Sequence, residues 1–314
     1  MALIQTTTVL TGGAVNNTPF LTGIAPGNLL VLFVAYAQTT NGAPPTVQGW
    51  TAAENPTATS SPGIGIFCGA AIFYREASKD TVVKATIIPG AGSGSASISS
   101  CMAEFTFNES ATSLDKHTNN GADTSTSGNT GTTATTSIAG ELVVALIGIA
   151  DVTGAPHANS GLTDPATSGY STVAVNQNSN NGLAFQASYK EVSATGTQTA
   201  SWTWTDSSAY QAVIATFIQA PRIDTFPVTT YVAEGQTATF TVAATTSSGS
   251  LTYQWKDDGG NVGTNSNSYT TGTLTTADSG SIITVDVSDS NGTFTTFDAY
   301  LWVEPATQIS WTGA

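Results

Sequence analysis

His117 and His157 are the only imidazoles in the chain, and neither has a second His or a Cys at the spacing that zinc sites use. His117 follows Asp115 and Lys116 in a polar stretch, and His157 lies in the turn-like APHANSG, so both read as solvated side chains. A Ser-His-Asp triad would need a sharp strand-to-helix turn carrying Gly-x-Ser-x-Gly. The small-residue run GAGSGSASISS (90–100) leads instead into a strand pattern. Glu76, Glu104, Glu141 and Glu191 are the acids that could pair across a cleft for glycoside hydrolysis, which needs carboxyls ~5–9.5 Å apart. Glu76 and Glu191 close matching YRE and YKE segments, which points to a shared strand-end role. ADTSTSGNTG (122–131) resembles an oxygen-rich calcium loop but carries one carboxylate, too little charge for a good site. Flat rings could stack on sugars, and Trp50, Trp202 and Trp204 are in or beside strands. Trp202 and Trp204 alternate with Ser201, Thr203 and Thr205, which assigns them to a core. The expectation is a protein that is not an enzyme, with no catalytic residue, no metal and no cofactor.

Only 9% of the 314 residues are charged, while 40% are hydrophobic and fall in short blocks. A disordered chain shows the reverse. Seven basic against twenty-one acidic residues give a net charge of -14, which repels phosphate backbones and anionic lipid. Nucleic acid and membrane are therefore excluded as expected partners. No apolar run reaches the ~18 residues of a membrane span, and MALIQTTTVLTGG lacks the basic start and apolar middle of a secretory signal. The product is expected to stay in the cytoplasm unless an assembly carries it out. Cys68 and Cys101 read as small core residues, with their pairing left open by the sequence.

The elements that would position any site are strands, because three-four apolar spacing with caps is absent. LLVLFVAYA (29–37), AAIFYREA (70–77), TVVKATII (81–88), ELVVALIGIA (141–150), LAFQASYKEV (183–192), TASWTWT (199–205) and AVIATFI (212–218) are β-branched and aromatic blocks bounded by turn residues. They recur in order at an offset near 113 residues, which defines copies over about 26–107 and 139–218. Four strands from each copy make eight, the number in a double-sheet jelly roll. The polar stretch 108–137 between the copies reads as a long surface loop or arm. Residues 1–220 thus form one all-β, duplicated, antiparallel jelly-roll or β-sandwich unit, and Pro221 opens a second.

In that second unit, 221–305, EGQTATFTVAAT (234–245), LTYQWKDDGGNV (251–262) and LTTADSGSIITVDVSDSNGTFTT (274–296) resemble strand B, strand C and the run from the E–F corner through strand G of the immunoglobulin-like superfamily. The resemblance implies a core around Trp255, with Val242 and Thr284 where the cysteines of antibody domains stand and Ile282 where their Tyr stands. It also makes Asp278, Ser279 and Gly280 the structural turn before strand F, and Asn291-Gly292 a hairpin pair. Residues 306–314, with Trp311, form a tail that either docks or frays.

PGNLLVLFVAYA, AGELVVALIGIA and WTWTDSSAYQAVIATFI resemble, at the level of pattern, jelly-roll proteins of tailed bacteriophages, in which immunoglobulin-like domains are often fused to virion proteins. That resemblance implies a virion structural protein of the capsid-decoration or head-fibre type, located on the particle and made in the host cytoplasm. Its partners would be the major capsid protein or other virion proteins, and it would form a homo-oligomer. The alternative it implies is a tail-associated adhesin for host-surface carbohydrate.

Overall fold

The computed structural model describes residues 2–13, 18–25, 27–61, 65–77, 82–92, 94, 96–107, 113–150, 162, 169–177, 182–218, 221–246, 249–290 and 292–306. The chain is all-β and divides into two compact units, 1–219 and 220–314.

Five strands of the first copy matter: β1 (Leu3–Thr6), β2 (Leu29–Gln38), β3 (Thr51–Glu54), β4 (Ile66–Glu76) and β5 (Ala96–Phe105). The second copy supplies β6 (Ser113–Asn129), β7 (Leu142–Ala150), β8 (Ser171–Asn176), β9 (Leu183–Glu191) and β10 (Ser201–Ile218). Each copy makes its own antiparallel sheet, in the orders β1-β5-β2-β4-β3 and β6-β10-β7-β9-β8, which are the same order. Register repeats as well. Leu29 pairs with Phe105 and Glu76, and Leu142 with Phe217 and Glu191; Tyr74 pairs with Thr51, and Tyr189 with Ser171. The duplication is therefore one of strand order and register. The sandwich is assembled copy by copy, and among the described residues its two main sheets do not exchange strands as the Greek keys of a jelly roll would.

The stretch 108–137, expected as a surface loop or an extended arm, contains the 17-residue strand β6, paired into the second sheet. β6 pairs with β10 as β1 pairs with β5: Leu114 lies opposite Phe217, and Leu3 opposite Phe105. The copies thus begin earlier than the apolar blocks suggest, near residues 3 and 113. β6 is an edge strand whose described side chains are mostly half-buried or exposed, so it needs no apolar alternation and its composition imitates a loop.

Between the sheets lies a shared core of inward residues, among them Leu29, Val31, Phe33, Phe105, Leu142, Val144, Leu146 and Phe217. Contacts across it exchange under a pseudo-twofold axis. Tyr74 meets Phe217 edge-on at 5.1 Å between ring centroids, and its counterpart Tyr189 meets Phe105 at 5.3 Å, both at 64°. The matched residues Ala35 and Gly148 face each other near that axis. A Cβ on Gly148 would come within 2.9 Å of the Ala35 Cβ and 3.0 Å of the Gly69 carbonyl, so the close approach of the sheets at this point requires glycine.

Each sheet is also covered on its outer face. Leu30, Leu32, Val34 and Tyr36 pack under short strands such as Phe20–Thr22 and Val82–Lys84, while Val143, Ala145, Ile147 and Ile149 pack with Trp202, Trp204 and Tyr210. Burial on both faces explains why β2 and β7 read as unbroken apolar runs. In the second cover, Thr130, Thr133 and Thr136 each donate their N–H to the carbonyl of Ala200, Gln198 and Gly196 and accept that residue's N–H on Oγ1. Thr7, Thr106, Thr271 and Thr296 repeat this reciprocal pairing elsewhere. A hydroxyl stands in for a backbone carbonyl at each place, which gives many of the threonines a structural task.

The C-terminal unit is an immunoglobulin-like sandwich. Its larger sheet runs β11 (Thr230–Ala233), β14 (Ala299–Glu304), β13 (Ile282–Asp289), β12 (Thr252–Asp257) and Gly260–Val262 in that spatial order, with β11 parallel to β14. The strands Thr239–Thr241 and Ser268–Thr270 pair separately. Trp255 is fully buried beside Phe240 and Val242, and its indole N–H donates to the Ser266 carbonyl at 2.9 Å. Ile282 and Thr284, expected in this core, are half-buried on the other face of β13; Ile283, Val285 and Val287 fill the core instead. The strand's inward phase is shifted by one residue from the antibody-like alignment, and such a shift exchanges the faces of a strand. Asp278 accepts from the Thr275 N–H and hydroxyl, which hold its carboxyl below the usual range; Ser279 Oγ accepts from the Val303 N–H, and Gly280 has φ +97°.

Candidate functional site

Of the candidate acids, Glu76 and Glu191 occupy matched positions, whereas Glu104 and Glu141 do not. Glu104, buried near the end of β5, accepts from Asn28 Nδ2 at 2.7 Å, the Ala25 N–H at 3.0 Å and Gln5 Nε2. The second copy moves the carboxylate one strand over. Glu141 stands at the position of Asn28 and accepts from the Ile138 N–H, the counterpart of Ala25, at 3.1 Å. Beside it Asp115 accepts from Lys116 Nζ, from the Ser137 hydroxyl at 2.6 Å and from the Ser137 N–H at 2.7 Å. Burial, with Asp115 nearby, pushes the Glu141 carboxyl up. Burial also pushes Asp115 up, but Lys116 and the Ser137 donors outweigh it and hold that carboxyl below its ordinary range. Both nodes tie strand ends together. Glu76 and Glu191 are exposed at the matched ends of β4 and β9.

His117 stands on β6, with Nδ1 2.5 Å from Glu54 Oε2, and Asn119 donates to Glu54 Oε1 at 3.1 Å. This contact closes the sandwich at one edge, and Asn176 with Thr11 does so at the other. Cys68 and Cys101 are buried free thiols lying opposite Ala37 and Phe33, on strands separated by β2, too far apart to bridge. Burial pushes the Cys68 thiol up to about 12, and Cys101 further still. Among the described residues no three His, Cys, Asp or Glu side chains cluster as metal ligands, and residues 122–129 of the calcium-like segment are extended. Trp202 and Trp204 are buried, and Trp50 is half-buried with the Arg75 guanidinium 5.9 Å from its ring centroid. His157, Asn291 and Trp311 lie outside the described residues.

The candidate site is on the immunoglobulin-like unit, where the outward face of the larger sheet carries aromatic rings. Along β14, Leu301 and Val303 point into the core, so Tyr300 and Trp302 point out, 40% and 42% exposed. Their rings lie 6.4 Å apart at 23°. Tyr231 on β11, 68% exposed, is in register with Trp302, and Ile282 on β13 is paired with Tyr300, so four apolar side chains from three adjacent strands share this face. Farther along the sheet, Lys256 forms an ion pair with Asp286 at 2.7 Å. Sequence reading missed this face, although the alternation in AYLWVE signals it once Leu301 and Val303 are assigned to the core.

No family model matches the chain, and no curated protein matches it. Among solved structures it is similar to the twitchin kinase region from C. elegans, at 28% identity over 27% of this chain and a TM-score of 0.24. That match spans 16% of the twitchin chain. It is also similar to Duf (Kirre) D1, at 14% identity over 28% of this chain and 99% of that one, TM-score 0.24. Sidekick-1 immunoglobulin domains 1–5 match at 9% identity over 95% and 81% of the two chains, TM-score 0.25. Scores of this size leave the fold to be read from strand order and core.

Proposed function

We propose that the chain is a non-enzymatic structural and binding protein of a tailed-bacteriophage virion, of the capsid-decoration or head-fibre type. In this reading the duplicated sandwich docks on the major capsid protein or on further copies of itself, and the immunoglobulin-like unit meets the surroundings. The observation that carries the binding role is the aromatic face of Tyr231, Tyr300 and Trp302 on a separately cored unit. The pattern-level resemblance of the duplicated region supplies the particle. Adding the purified chain to particles that lack it, then imaging them by cryo-electron microscopy, tests the proposal. Regular copies over the shell are expected, and failure to sediment with the particles at any concentration would sink it. A second reading, a tail-associated adhesin for host-surface carbohydrate, is favoured by the same face and predicts copies confined to the tail.

A further inference from the structure

We infer that Tyr231, Tyr300 and Trp302 form a platform for a neutral glycan chain, with Ile282 as its floor. The inference rests on the binding-protein reading above but not on which particle carries the chain. Aromatic side chains held 40–68% exposed on one sheet face, with the strand's other residues filling the core, form a contiguous patch of the kind that marks interaction surfaces.

Geometry narrows the ligand. Tyr300 and Trp302 are near-parallel at 23°, and Tyr231 stands beside Trp302 on the neighbouring strand, about 4.8 Å away across the sheet. Backbone pairing fixes where these side chains begin, and each ring has only two side-chain torsions left to order on binding. A pyranose presents C–H groups on its ring faces and hydroxyls around its rim. Tyr and Trp offer the matching combination, an apolar ring with a polar O–H or N–H at its edge.

Charge narrows the ligand further, by excluding polyanions. Residues 221–305 hold nine acidic and two basic residues, and their only lysine, Lys256, is already paired with Asp286. Nucleic acids bring backbone phosphate and acidic glycans bring carboxylate, both repelled by this unit. A neutral sugar chain carries no such penalty.

The test is affinity electrophoresis of the full-length protein through gels containing soluble β-glucan, mannan, galactan or glycol chitin, with polygalacturonate as the anionic control. Retardation is expected in at least one neutral gel and not in polygalacturonate. Trp302→Ala should weaken it about tenfold or more, as loss of an aromatic anchor does, while Trp302→Phe retains most of it. Thermal melts of both variants establish that the unit stays folded. Migration unchanged in every neutral gel would overturn the inference, as would equal retardation of Trp302→Ala and the native chain. Concentration-dependent dimers in sedimentation that Trp302→Ala abolishes would also overturn it, by making the face a contact between copies. A variant that loses glycan but still decorates particles separates this site from particle docking. A native chain that binds glycan but no particle leaves the site standing and removes the virion reading.

Discussion

The two halves of the sandwich share strand order, register and a reciprocal set of inter-sheet contacts, yet their buried polar nodes differ. The first copy places its carboxylate on the last strand, as Glu104, which accepts from Asn28 just before β2. The second places it near the start of β7, as Glu141, and adds Asp115 and Lys116. The backbone N–H that needs an acceptor is conserved between the halves, on Ala25 and on Ile138. What the fold fixes is the donor to be satisfied; which neighbouring strand provides the oxygen is free to change.

Three experiments break or sharpen this comparison. Phe105 and Phe217 are matched, fully buried and each packed edge-on against the other copy's tyrosine. Phe105→Ala and Phe217→Ala should each cost about 3–5 kcal/mol in denaturant unfolding, and by similar amounts. A large difference between them would show that the pseudo-twofold relation is geometric but not energetic.

At the axis, Gly148→Ala should cost about 1–3 kcal/mol, because the added methyl meets Ala35 and the Gly69 carbonyl. Ala35→Gly in the same chain removes the first clash and should recover part of the loss in calorimetry. Full additivity of the two changes would place the close approach elsewhere.

The smallest effect is the pH response of the second copy's node. An acid with a raised folded value favours the protonated form, so Glu141 adds stability below the ordinary glutamate range, and that contribution is lost as pH rises from that range through the raised folded value. Asp115, held low, acts in the opposite sense, its contribution disappearing as pH falls below the ordinary aspartate range. Glu141→Gln should flatten the decline of stability above the glutamate range. Glu104→Gln, in the other half, should lower stability without removing that decline. Thermal melts between pH 4 and 8 check both.

The sequence revealed the interior strands and the duplication well, because β2, β7 and much of β10 are buried on two faces and so print as apolar runs. It concealed β6, whose edge position lets Ser, Thr, Asn and Gly take a strand without apolar alternation. Trp202 and Trp204 were legible as core from their alternation with small polar residues. The core of the immunoglobulin-like unit was legible at Trp255 and Val242 but misphased at Ile282 and Thr284, since Ile282, Ile283 and Thr284 are all plausible strand residues and a one-residue change of phase exchanges the faces. The aromatic face was overlooked because an exposed ring and a buried one are written alike until the strand's phase is known.

The reciprocal packing of the two sheets carries an evolutionary consequence. A gene encoding one copy would make a sheet whose inner face, from Leu29 to Phe105, has no cover of its own. Such a product would gain its folded state only by pairing with an identical molecule, as obligate dimers do. Fusion of two genes turns that concentration-dependent assembly into a single chain and releases each half to diverge, and the exchanged positions of Glu104 and Glu141 record such divergence.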